Sequence, residues 1–218
     1  MTGPGSDSLA FEKALAAIPH AIPAWTYALG VAEKAAADHM SSIFDQRGLP
    51  RPALMHPHVE DELRHSGILC GSVAAQRARL SGLPGYGRLE RALVNRLKLW
   101  LVSLFSEVVR RESDPMQIYL YGAIPVESRV LDHYVRFSCV LASGVEAGAI
   151  RSVLKEEKQH AGMVRYALQK HLPGQEIEIA GKLESLFEVE ARIWARMKDE
   201  VLTALAAYEP AHLARALA

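Results

Sequence analysis

Apolar residues recur at intervals of three and four along almost the whole chain, and no stretch alternates apolar and polar by two. This periodicity predicts helices and no sheet. It is clearest over 88–111, where Leu93, Leu97, Trp100, Leu104 and Val108 form one stripe, and over 176–207, with Leu183, Leu186, Ile193, Met197 and Val201. The punctuation is equally regular. A short helix is expected over 8–18. A long one runs from Pro23, a good first-turn residue, to about Asp45. The Pro-rich RGLPRPALMHPH (47–58) leads to a helix over 58–80, and SGLPGYG (81–87) leads to the helix over 88–111. SDP at 113–115 starts another, with Asp114 as N-cap and Pro115 in the first helical position. That helix reaches about Leu141 and is interrupted by Gly122 and Pro125. Ser143-Gly144 breaks the chain before a helix over 145–170, and LPG (172–174) before the last one. No boundary divides the chain, so residues 1–218 read as one all-α domain, with 1–7 a flexible polar tail.

Composition narrows this picture. Half of the 218 residues are hydrophobic and 23% are charged, which argues against disorder. Lys+Arg and Asp+Glu both number 25, so no general electrostatic attraction to nucleic acid is expected. Cys70 and Cys139 are the only cysteines and are far apart, a usage that points to a reducing cytoplasm. The first twenty residues lack the basic-then-apolar pattern of a signal peptide. The most apolar run, LWLVSLF (99–105), is far short of a membrane span.

Chemistry enters at VEDELRHSGIL (59–69). Glu62 and His65 stand three apart on one helix face, and Glu157 and His160 repeat that spacing in KEEKQHAGMV (155–164). A carboxylate and an imidazole so placed can ligate one metal ion. A lone pair of this kind carries little weight. Random placement in this chain gives roughly 0.7 of them, and a third, Glu209 with His212, contains Pro210 and reads as chance.

Two further glutamates change the weight. Glu33 precedes Glu62 by 29 residues and Glu127 precedes Glu157 by 30, each the length of a helical hairpin. The chain then reads as two similar halves, each Glu … Glu-x-x-His. Asp38-His39 and Asp132-His133 follow the first glutamate of each half, turned away from its face, and read as surface residues. Glu60 also reads as surface. Glu107 competes for the third-helix position, but its 50-residue distance to Glu157 is long for one hairpin. Pro125 either kinks a helix two residues before Glu127 or starts that helix, which would leave Glu127 in its first turn. Four carboxylates and two imidazoles without thiolates suit Fe(II) or Mn(II) better than an iron–sulfur cluster or a structural zinc. Their four negative charges balance two divalent ions. Asp61 and Glu156, each directly before a ligand glutamate, are candidate acceptors for the outer histidine nitrogens. Tyr119, Tyr121 and Tyr134 read as ordinary core packing ahead of any redox role.

Over residues of about 24–170 this pattern resembles the ferritin-like di-iron carboxylate family: one Glu from each of two helices and a Glu-x-x-His from each of two others. DELRH (61–65) is similar to the D-E-x-R-H form of its oxygen-activating members; the second copy, E-E-K-Q-H, lacks the Arg. The resemblance implies a four-helix bundle of two hairpins, with extra helices in the crossover and at the C-terminus. It implies two iron ions (or manganese) held by Glu33, Glu62, His65, Glu127, Glu157 and His160. Glu62 and Glu157 would lie between the ions as the catalytic carboxylates, Glu33 and Glu127 would be terminal, and each His would bind one ion.

The implied activity is a non-haem di-iron oxygenase acting with dioxygen, a small organic substrate and an electron-donor protein or reductant. A helix in the crossover and the lack of a Cys-rich module favour this over iron or peroxide handling of the bacterioferritin or rubrerythrin kind. SEVVRR followed by GAIPVE (122–127) is similar to small tRNA hydroxylases, although the neutral charge does not support tRNA. Aldehyde-deformylating oxygenases have similar hairpin spacing. A homodimer is compatible with all of these, and a metal-free helical interaction domain is the remaining alternative.

Overall fold

The structure, a computed structural model, describes residues 9–141 and 143–216, and side chains as far as Tyr208. The expected tail at 1–7 and the side chains of Glu209 and His212 lie outside the described residues. Seven helices and no strand occur among those described: α1 (Ala10–Ala17), α2 (Ala21–Arg47), α3 (Met55–Leu80), α4 (Tyr86–Arg111), α5 (Pro115–Val140), α6 (Val145–His171) and α7 (Glu176–Ala216). The molecule is all-α, and no described helix is long and apolar enough to cross a membrane.

The helix ends follow local chemistry. α2 stops at Gly48, which takes the left-handed conformation at φ 62°. Asp114 caps α5, its carboxylate accepting from the Gln117 amide at 2.8 Å. Two expectations need correction. α3 starts at Met55, before Pro57, because a proline in the first turn removes only an amide that has no helical partner. α5 is continuous across Gly122 and Pro125, so Glu127 sits near its middle and not in a first turn. Every residue from Ile118 to Glu127 is buried, and that burial outweighs the lost backbone bond at Pro125. Gly122 makes room for α4: a Cβ there would run into the Phe105 ring. α7 continues past the expected end near 207, to Ala216.

α2 packs against α3 and α5 against α6, and α3 meets α6 across the middle. Gly30 lets α2 approach α3 closely, because a Cβ at that position would lie 3.1 Å from the Cys70 backbone nitrogen. α4 lies over α2, and α7 lies over α4 and α5. The expected stripe of α4 is wholly buried. On α7, Leu186, Met197 and Val201 are core, with Leu183 and Ile193 partly covered. This arrangement points the polar faces of the two hairpins at one another inside an apolar shell.

A buried carboxylate and histidine cluster between two hairpins

Glu33 comes from α2, Glu62 and His65 from α3, Glu127 from α5, and Glu157 and His160 from α6. Each exposes 5% or less of its surface. Six ionisable groups are not buried together without a compensating partner, and here they converge. His65 Nδ1 lies 2.7 Å from Glu157 Oε1. His160 Nδ1 lies 3.6, 3.9 and 3.7 Å from carboxylate oxygens of Glu62, Glu127 and Glu157. The Glu33 carboxyl sits beside those of Glu62 and Glu157. Two sets of ligand atoms each fall within 4.8 Å: His58, Glu62, Glu127 and His160, and Glu62, His65, Glu157 and His160. Glu62 and His160 belong to both, and Glu33 to neither.

The outer nitrogens are held in a crossed pattern. His65 Nε2 donates to Glu156 at 3.2 Å and His160 Nε2 donates to Asp61 at 3.1 Å. The carboxylate preceding each ligand glutamate thus serves the histidine of the other half. Arg64 joins them, pairing with Glu156 at 2.6 Å and with Asp61. Slight burial would raise both carboxyls, but hydrogen bonds from Arg64 and the histidines bring them below their ordinary values. Ionised Asp61 and Glu156 are acceptors only, so each imidazole carries a hydrogen on Nε2 and, when neutral, turns an Nδ1 lone pair inward.

That inward side lacks partners. His65 Nδ1, His160 Nδ1, Glu127 Oε2 and Glu157 Oε1 are buried without a hydrogen bond. Native proteins rarely leave such atoms unmatched, and each needs an explanation. His65 Nδ1 and Glu157 Oε1 are close but not aligned as donor and acceptor, as expected of two ligand atoms sharing an ion. The donor set, oxygens with two or three imidazoles and no thiolate, fits a pair of divalent first-row ions.

Charge within the metal-free cluster is distributed unevenly. Burial, and then neighbouring carboxylates, raise Glu33 and Glu62 well above the usual range. Burial also raises Glu127, although His58 beside it works in the other direction. Burial would raise Glu157 too, but the imidazoles of His160 and His65 close beside it prevail and bring it down to about 2. Burial would lower His65 and His160, yet both are raised by Glu157. Tyr134 donates to Glu33, and burial raises its phenol strongly.

The other acidic residues keep to the places expected of them, and two histidines do not. Glu107 is outside the cluster: Arg111 donates to it at 2.8 Å, and Arg110 also pairs with it. Glu60 and Asp38 are exposed, and Asp38 pairs with Lys34 at 2.8 Å. His133 is not a surface residue. It is buried, accepts from Trp25 Nε1 at 2.9 Å and donates from Nδ1 to Glu12 at 3.1 Å. His58, which stands outside the Glu-x-x-His spacing, joins the cluster. Its Nε2 lies 3.1 Å from Glu62 and 3.0 Å from Glu127, and its Nδ1 meets the Tyr119 hydroxyl at 2.8 Å. The signal was present: His58 precedes Glu62 by four residues and so shares its helix face.

A small apolar cavity adjoins Glu33 and Tyr134, walled by Leu97, Trp100 and Trp194, with about 20 Å³ available. That is room for one water-sized guest. On the other side, a pocket open to solvent lies over α3 and α6, lined by Asp61, Arg64, Glu156 and His160. No family model, curated protein or solved structure matches this chain.

Proposed function

We propose that this protein is a ferritin-like di-iron oxygenase, in which Glu33, Glu62, His65, Glu127, Glu157 and His160 hold two metal ions. The observation that carries the reading is the set of four buried, unpartnered ligand atoms inside the duplicated Glu … Glu-x-x-His frame. Two ferrous ions held there would supply electrons to reduce dioxygen and so oxidise an organic substrate.

The chain's own residues have definite tasks in this reading. Glu62, a member of both ligand sets, is the carboxylate best placed to serve both ions, and Glu157 reaches His65 of the other half. Asp61 and Glu156 fix the histidine tautomers, and Arg64 holds the two acceptors at one spacing. Tyr134 orients the Glu33 carboxyl by donating to it. Leu97, Trp100 and Trp194 exclude water from the Glu33 side, where the apolar cavity favours a small nonpolar guest such as dioxygen. The enclosure of all six ligands favours oxidation of a bound substrate over bulk iron handling. The second reading, iron oxidation of the ferritin kind, draws on the polar pocket by Asp61 and Glu156, an access route suited to cations.

Isotopically labelled dioxygen separates the two readings. Protein loaded with two Fe(II) ions is mixed with it in the presence of a fatty aldehyde or of tRNA carrying an apolar modified adenosine. The oxygenase reading expects labelled oxygen in one organic product. Repeated oxidation of Fe(II) added beyond two per chain, with no labelled product, would instead establish the iron-handling reading.

A further inference from the structure

The two halves of the site are unlike at one position. Four residues before Glu62 stands His58; four residues before Glu157 stands Val153. Both are buried on the faces of their helices that carry the ligands. One half therefore offers an additional nitrogen where the other offers a methyl group.

We propose that His58 is a third imidazole ligand, at the end of the site formed by Glu127 and His160, so that the two metal positions differ in donor set. The inference rests on the two-metal reading above. His58 Nε2 lies 3.0 Å from Glu127 Oε1 and 3.1 Å from Glu62 Oε1. Two cis ligands at about 2.1 Å from one ion stand about 3 Å apart, so these spacings suit a shared ion without rearrangement. The ring's other nitrogen is already engaged, since Nδ1 meets the buried Tyr119 hydroxyl at 2.8 Å. Tyr119 thus holds the His58 ring as Asp61 holds that of His160 and Glu156 that of His65; in the metal-free chain Nε2 shares a hydrogen bond with Glu127, and an ion would take the place of that proton. At the opposite end the comparable extra contact is Tyr134 on Glu33, a hydrogen bond to a carboxylate in place of a further donor. With His160 assigned to the His58 end, that position has two imidazoles and the one beside Glu33 has one, and nitrogen donors favour the later first-row ions.

The probe is Co(II), added without oxygen to the metal-free full chain. Wild type is expected to bind two Co(II) in separable steps. In His58→Val, which copies the other half, the tighter step weakens by roughly 10- to 100-fold and the two steps converge. Proton NMR of the Co(II)-loaded wild type needs no variant: three exchangeable imidazole N–H signals shifted far outside the ordinary range are expected. Two such signals, with unchanged Co(II) steps in a folded His58→Val, would overturn the third ligand and leave the two-metal site standing. Wild type that binds no Co(II) would overturn the two-metal reading itself.

Discussion

Metal-free protein becomes less stable as pH rises from about 5 to about 8, while metal-loaded protein gains stability over the same range. The sign follows from the buried carboxyls. Glu33, Glu62 and Glu127 are raised above 4.5, so the folded chain keeps protons that the unfolded chain releases. Their contribution is complete below 4.5 and is lost as pH climbs through their folded values. His58, His65 and His160 are raised above 6.5 and act in the same direction. Glu157, held at about 2, contributes in the opposite sense, but its share is lost only in acid, below 4.5. The expected slope is on the order of 1 kcal/mol per pH unit for each excess proton. Divalent ions displace those protons, so their binding strengthens with pH. At a thousandfold excess over Kd, each ion adds about 4 kcal/mol. Urea unfolding with chelator and with Mn(II), at three pH values, checks this. Parallel profiles would show that metal does not bind among these groups.

Glu62→Gln removes metal binding and yet stabilises the metal-free protein at neutral pH. Glu62 is buried among Glu33, Glu127 and Glu157, and its ionisation is opposed first by burial and then by Glu157. An amide of the same shape is neutral without taking up a proton, so it avoids the cost that the carboxyl meets above pH 4.5, about 1.4 kcal/mol for each pH unit. Gln keeps an accepting oxygen beside His58 that Leu would lose, which is why Gln is the informative substitution. Expected results are a metal content well below wild type and a higher urea midpoint in chelator. Unchanged metal content with a lower midpoint would mark Glu62 as a structural residue.

The helices were readable from apolar periodicity and turn residues because both act locally. Asp114 caps its own helix, and the stripe of α4 needs only a partner of any apolar kind. The convergence of Glu33, Glu62, Glu127 and Glu157 was readable from two hairpin-length intervals. What escaped depends on contacts between distant segments. His133 is buried by Trp25 and Glu12, far away in the chain. Continuity of α5 through Pro125 is imposed by its buried surroundings. Glu107 was a plausible competitor by helix position, but Arg110 and Arg111 on its own helix neutralise it. His58 was passed over because its segment, HPH, read as the end of a Pro-rich connection, while the helix had already begun at Met55.

Metal analysis of wild type, Glu127→Ala and Glu107→Ala, each produced with iron, decides whether the buried cluster is a metal site. About two metal ions per chain are expected in wild type and in Glu107→Ala, with a clear loss in Glu127→Ala. Wild-type protein free of metal under those conditions would contradict the account and leave a helical bundle with an unexplained buried cluster of acids and histidines.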